Sequence, residues 1–417
     1  MKADKLLIRN ASQVVTCSGF TAKKGEAMSD IGVIEDGAVA VLNGRIIHVG
    51  TTRDILSRIY EEEYTVINAT GKTLLPGFVD SHTHFVFGGY REEEFSWRLR
   101  GDSYMSIMER GGGIANTMKA TRESNYDDLW ESGYARLADM MEMGVTTVEG
   151  KSGYGLDLET ELMQLRVMKE IDEEHPVDVI ATFLGAHAIP PEYKSRGDDY
   201  IRYIIETVLP AVAKEELAGF CDVFCEKGVF SVKQSERLLR AAQALGMKPK
   251  LHADEIVMFG GAELAVKLNA VSADHLLQVS DEGVRQLAGS NTVATLLPLT
   301  AFSLHEPYAR GREMIDAGCA VALATDLNPG SCFSCSIPML IALACIYMKL
   351  TPEEVVTALT INGAAAVGRA NTIGSIDVGK KADMILLRYP SYKFLSYHIG
   401  MNLVEITIKN GKTYHYK

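Results

Sequence analysis

No stretch of this sequence is apolar enough to cross a bilayer as a helix. The longest apolar run, IPMLIALACIYM at 337–348, falls well short of the roughly 20 residues a span requires. The opening segment MKADKLLIRNASQVVT lacks the apolar core of a signal peptide. Positive charge is scarce as well. With 42 Lys and Arg against 54 Asp and Glu, the net charge is −12 and no basic stripe is present, which argues against nucleic acid as a partner. The same deficit would repel an anionic substrate unless cations were built into its site. Cysteines are few, odd in number and scattered, seven in all, which predicts reduced thiols in a cytoplasmic protein. Low-complexity segments, long linkers and repeats of 20–50 residues are also missing. What remains is a 417-residue globular composition, 47% hydrophobic, with ample material for a large core.

The first 75 residues read as strands. Asn43-Gly44 sits between two apolar runs, and Asn410-Gly411 does the same near the other end. Both pairs predict hairpin turns, whose central residues must accept positive φ. The two ends, 1–75 and 375–417, are therefore expected to form one small β domain, with 76–374 inserted. The middle alternates between short apolar or β-branched runs and longer helical patterns. Eight such runs occur, at 77–84, 144–155, 179–189, 220–230, 248–255, 270–277, 291–302 and 320–330. Eightfold strand–helix alternation predicts an α/β fold, a (β/α)8 barrel of the TIM type.

In such a barrel the chemistry gathers at the C-terminal strand ends. The first run ends in His82-Thr83-His84, and side chains two apart on a strand share a face. The fifth ends in His252, followed by Asp254 and Glu255, and the eighth in Asp326. Three imidazoles and a carboxylate make a donor set suited to Zn²⁺ or iron, and such an ion makes hydroxide accessible near neutral pH. His187 and His275 close the third and sixth runs. A single strand histidine is usually a satisfied core residue. Half of the ten histidines fall at predicted strand ends, which weakens that reading. His275 is open to three roles: a fifth ligand, a proton shuttle or a partner of the water. Glu255 is either the general base or a solvated loop carboxylate. Arg91 is either a clamp for a substrate carboxylate or a partner of Glu92, Glu93 and Glu94, and Tyr154 offers a phenol to the same ligand. GGGI at 111–114 reads as a flexible loop over the site. Cys332 with Cys335, and Cys221 with Cys225, read as buried thiols rather than a zinc knot. REEEF and YEEEY read as solvated helix faces.

The blocks PGFVDSHTH, TTVEGKSGYGL, TFLGAHAIP, LHADE, SADHL and ALATDLNPGS, in that order, resemble the metal-dependent amidohydrolase superfamily and, within it, most closely the imidazolonepropionase family. That resemblance implies a barrel carrying a small β-sandwich built from both chain termini. It implies hydrolysis of the cyclic amide of 4-imidazolone-5-propanoate, a small anionic substrate, to N-formimidoyl-L-glutamate in histidine degradation. It implies one Zn²⁺ or iron per subunit, held by His82, His84, His252 and Asp326, in a homodimer. It places Arg91, Tyr154, His187, Glu255, Asn328, Gly330 and Ser331 against substrate or product, with Glu255, His275 and His187 as catalytic groups. Many superfamily members bridge two metals with a carboxylated lysine on strand four; Lys227 is near that place, but the family pattern implies a single ion. Leu299 stands where many relatives have glycine. Two other readings of the same residues are a mononuclear deaminase acting on a heterocyclic ring and an inactive scaffold on this fold.

Overall fold

The structure is a computed structural model that describes residues 4–102, 110 and 112–416. The amino-terminal segment forms strands β1 (Lys5–Val15), β2 (Val33–Leu42), β3 (Arg45–Thr51), β4 (Thr65–Asn68) and β5 (Thr73–Pro76). The barrel follows as β6 (Phe78–Thr83), β7 (Val145–Lys151), β8 (Asp178–Ala186), β9 (Phe220–Cys225), β10 (Lys248–Ala253), β11 (Ser272–His275), β12 (Val293–Leu296) and β13 (Val321–Leu323). The chain closes with β14 (Met384–Leu387), β15 (Val404–Lys409) and β16 (Lys412–His415). Seven of the eight barrel strands lie inside their predicted runs, and β8 begins one residue ahead of its run, at Asp178. The seventh is shorter than its run, because Pro298 starts a helix, Pro298–Leu304, within it. Proline is well placed at a first helical turn, where its missing N–H costs nothing. Leu299 is buried in that helix.

The terminal strands form one continuous mixed sheet in the order β16-β15-β14-β5-β1-β2-β3, with β4 also on β1. β5 joins the two chain ends: Leu74 pairs with Leu386 of β14, and Thr73 with Gln13 of β1. Residues from β1, β2, β14 and β15, among them Ile8, Val41, Met384 and Ile406, share one apolar core, so the sheet curls over its own side chains. The two predicted hairpins are present, with φ of 49° and 75° at Asn43 and Gly44 and of 49° and 77° at Asn410 and Gly411. From β5 the chain enters the barrel directly through Gly77, where a Cβ would meet Thr146 Cγ2 at 2.3 Å. Only glycine permits that approach of the first two barrel strands.

The eight barrel strands are parallel neighbours in sequence order. Residues facing outward, such as Val79, Val148, Val223 and Leu251, pack against the surrounding helices in a second, larger core. The seam between β13 and β6 is closed just beyond the strands. Asp326 donates its backbone N–H to His82 O at 3.0 Å, and His84 donates to Leu327 O at 2.8 Å. One layer down, Thr325 donates its N–H and its hydroxyl to the buried Asp80 carboxylate at 2.9 and 2.6 Å. Among the described residues, no helix is long and apolar enough to cross a membrane.

Candidate metal centre and active site

Side-chain alternation explains why the donors meet. On β6, Asp80 and His82 face the barrel axis, and His84 continues that face past the strand end. On β10, Lys250 and His252 do the same. The seam bonds then bring Asp326, whose φ is 54°, beside the β6 pair. Asp326 Oδ1 lies 3.5 Å from His82 Nε2 and 3.7 Å from His84 Nε2. Donors arranged tetrahedrally about a zinc ion lie roughly 3.4 Å apart. His252 joins at ring-centroid distances of 4.6 Å from His82 and 5.5 Å from His84. All four residues are buried. His275 follows an inward Asp274, so strict alternation would turn it outward. Its φ of 76° breaks the strand geometry, and its ring comes to 5.1 Å from His252.

The donor set passes a simple test for a cation. His82 Nε2 and His252 Nε2 are buried with no hydrogen-bond partner, and so are both ring nitrogens of His275. Orphaned buried nitrogens of this kind are rare unless something else binds them. Burial, then neighbouring cations and imidazoles, hold His82, His84 and His252 well below 6.5, so all three are neutral rings with a lone pair to give. Burial raises Asp326 to about 7, opposed by hydrogen bonds from Thr300 and Asn328. Thr300 donates to its Oδ2 at 2.6 Å, and Oδ1 faces the two histidines.

Beneath these groups lies a buried ionic layer. Lys151 reaches Glu149 at 3.0 Å, Asp222 at 2.8 Å and Asp274 at 3.3 Å, and Lys250 pairs with Glu149. Asp274 accepts from His82 Nδ1 at 2.7 Å, and Asp222 from His252 Nδ1 at 3.0 Å. Burial alone would lower Lys151, yet Asp222, Glu149 and Asp274 together push it well above 10.5. Two ammonium groups thus face three carboxylates, which leaves one negative charge uncompensated before Asp326 is counted. A cation at the barrel mouth would supply the missing charge.

The residues predicted to meet substrate surround the same mouth. His187 stacks on His84, with centroids 5.0 Å apart and planes at 13°. Its Nδ1 lies 3.1 Å from Gly153 O, and burial lowers it to about 4. Tyr154 is buried, 5.3 Å from the His187 ring. Glu255 is raised to about 8 by burial first, then by Asp326 and Glu226. Its Oε1 lies 3.5 Å from His275 Nδ1, and the two make no hydrogen bond. His275 is lowered to about 4, again mainly by burial.

Arg91 pairs with the last of the three glutamates that follow it. Its Nε donates to Glu94 Oε2 at 2.9 Å, while its Nη1 lies against Gly330, where a Cβ would stand 2.0 Å away. Glu94 is buried, so REEEF is not a uniformly solvated face: Glu92 and Glu93 are exposed and Glu94 turns inward. It also accepts Gly113 N–H and Asn116 Nδ2 at 3.0 Å each, which ties GGGI to the arginine. Gly111 lies outside the described residues, whereas Gly113 caps the helix Ile114–Glu123. Asn328 spends its amide on its own loop, accepting from Gly330 and Ser331 N–H at 2.8 Å and donating to Asp326 O at 2.7 Å. Asp254 is likewise a loop organiser, accepting four backbone N–H groups between Phe259 and Ala262. Lys227 is exposed in the turn after β9. All seven cysteines are free, and no cysteine belongs to a potential metal cluster among the described residues.

The sequence reading missed Glu149, Lys151, Asp222, Lys250, Asp274 and Glu226. A signal was available: charged residues stand on the inward face, two positions before His252 and His82, within otherwise apolar strands. Glu226 accepts Ile256 N–H at 2.8 Å and so fixes the loop that carries Glu255.

Comparison with known proteins agrees with this geometry. Residues 65–124 and 235–413 match the Amidohydrolase family. The chain is 70% identical to the imidazolonepropionase of Parabacteroides distasonis over 414 residues, covering 99% of this chain and 100% of that one. It is 60% identical to that of Clostridium tetani over 411 residues, covering 99% and 98%. Among solved structures, a zinc-bound adenosine deaminase from Xanthomonas campestris aligns with a TM-score of 0.70 at 20% identity, covering 98% of this chain and 92% of that one. That likeness is one of fold.

Proposed function

The chain belongs to the imidazolonepropionase family of amidohydrolases, and from that premise we propose how its residues divide the reaction. The reaction is hydrolysis of the cyclic amide of 4-imidazolone-5-propanoate to N-formimidoyl-L-glutamate, in histidine degradation. His82, His84, His252 and Asp326 would hold one metal ion, Zn²⁺ or iron. When bound, that ion supplies a Lewis acid and brings the pKa of a water toward neutrality. The remaining work falls to the chain. Arg91, aimed by Glu94 and seated on Gly330, receives the propanoate carboxylate through its free N–H groups and offsets the net charge of −12. Tyr154 and His187 close one wall, and Ser331 and the Asn328 loop the other. Water adds to the ring carbonyl carbon and the C–N bond breaks. Glu255 takes the proton from the water and returns it to the departing ring nitrogen. Its elevated pKa suits that exchange near neutrality, whereas His275, held near 4, is a weak base and serves to orient the water.

One observation carries this reading: unpartnered imidazole nitrogens converge with Asp326 Oδ1 over an ionic layer short of positive charge. The test is an ultraviolet assay of imidazolone-propanoate loss, with and without chelator. Loss that stops on chelation and returns with zinc is expected. No loss under full metal loading would overturn the proposal. A homodimer and cytoplasmic residence belong to the same reading; sedimentation at twice the monomer mass tests the first.

A further inference from the structure

One ammonium group reaches both carboxylates that hold the ligand imidazoles. Lys151 Nζ lies 2.8 Å from Asp222 Oδ2 and 3.3 Å from Asp274 Oδ2. Those same oxygens face His252 Nδ1 at 3.0 Å and His82 Nδ1 at 2.7 Å. The third partner of Nζ is Glu149 Oε1, at 3.0 Å. An ammonium has three donors and no acceptor; here it hydrogen-bonds Glu149 and Asp222 and lies within ion-pair distance of Asp274. Carboxylates only accept, so the proton of each imidazole sits on Nδ1 and each Nε2 keeps a bare lone pair.

We propose that Lys151 is a positioning residue for the metal centre. It is a shared clamp that fixes two ligand histidines on separate strands, β6 and β10, in the metal-binding tautomer at once. The proposal rests on the assignment of His82 and His252 as ligands. Without Lys151, Asp222 and Asp274 would direct two like charges into one small volume and turn apart. Each histidine would then be free to rotate, or to move its proton to Nε2. The barrel also contains its own control. Lys250 is equally buried and equally charged, but its ammonium touches Glu149 and Ser81 O, not the carboxylates that hold the histidines. A lysine that merely filled the interior with charge would behave like Lys250.

The experiment compares Lys151→Met, Lys250→Met and the unaltered protein. Zinc affinity is measured by competition with a chromogenic chelator, and histidine tautomers by ¹⁵N NMR of the metal-free chains. In the unaltered protein, His82 and His252 are expected as Nδ1–H. Lys151→Met is expected to lose ten- to a hundredfold in zinc affinity, the range for partners that orient metal ligands, and to populate Nε2–H rings. Lys250→Met is expected to lose much less. Equal losses in the two variants, or unchanged affinity in a folded Lys151→Met, would overturn the proposal. Should Lys151→Met not fold, the unaltered protein still decides: Nε2–H at either ring rules out the clamp. A different failure marks the underlying assignment. If the unaltered protein binds no zinc, or His82→Ala binds it equally well, the ligand set itself is wrong.

Discussion

Glu255→Gln should separate activity from stability in opposite directions. Burial raises the Glu255 carboxyl from 4.5 to about 8, with the Asp326 and Glu226 charges adding to the shift. An acid shifted upward by folding is protonated in the native state and ionised in the unfolded chain between those two pH values. Its contribution is therefore neutral below about 4.5 and turns against the fold as pH rises toward 8. Linkage puts the cost near 4 kcal/mol at pH 7.5. Glutamine has the same shape and no charge, so the metal-free variant should be more stable than the parent by a large part of that amount. The difference should shrink steadily toward pH 5. A bound metal cation opposes the shift, so the measurement belongs on chelated protein, by urea titration at several pH values. The same substitution removes the group proposed to move the proton, so kcat should fall by roughly 10² to 10⁴. The acid limb of kcat/KM should vanish as well. Equal stability at pH 7.5, or a difference that does not change with pH, would refute the burial argument. Full activity in the variant would refute the assignment of the base.

Arg91→Gln should raise KM some 10- to 100-fold with a smaller change in kcat, the worth of a charge-assisted carboxylate pair; steady-state kinetics would show it. Gly330→Ala places a Cβ 2.0 Å from Arg91 Nη1, so it should reproduce much of that KM defect without touching a charge. An unchanged KM would show that the guanidinium is not needed at that spot. Asp80→Ala leaves Thr325 N–H and hydroxyl unpaired at the barrel seam. It should cost about 2–4 kcal/mol in urea denaturation, and a cost under 1 kcal/mol would mean that the seam is held by other bonds.

The sequence was most legible where a physical rule left few choices. Asn-Gly pairs located the hairpins, and eightfold alternation located the barrel strands. His82, His84, His252 and Asp326 were visible because polar residues at strand ends are conspicuous after apolar runs. The ionic layer beneath them was not, because its members are distributed over β7, β9, β10 and β11, and none has a partner nearby in sequence except Glu149 with Lys151. Glu94 was misread because it follows two exposed glutamates, and only the fold reveals that its side chain turns in toward Arg91 and Gly113. Asn328 was expected against substrate, and Asp254 follows a candidate ligand in sequence. Their oxygens are occupied by backbone N–H groups of their own loops, a fact set by turn geometry rather than by residue type.

The barrel seam has a consequence for how long the protein survives in the cell. His82 and Asp326 stand at opposite ends of the barrel segment, and the backbone bonds that seal the cylinder place them side by side. A metal held between them would buckle the last barrel strand to the first. Detaching the last strand from the first would release it, and a filled site would resist that detachment in proportion to free metal. When metal is short, the expected outcome is then a cylinder that opens more often and is degraded sooner, so the amount of protein, and not only its activity, would follow metal supply.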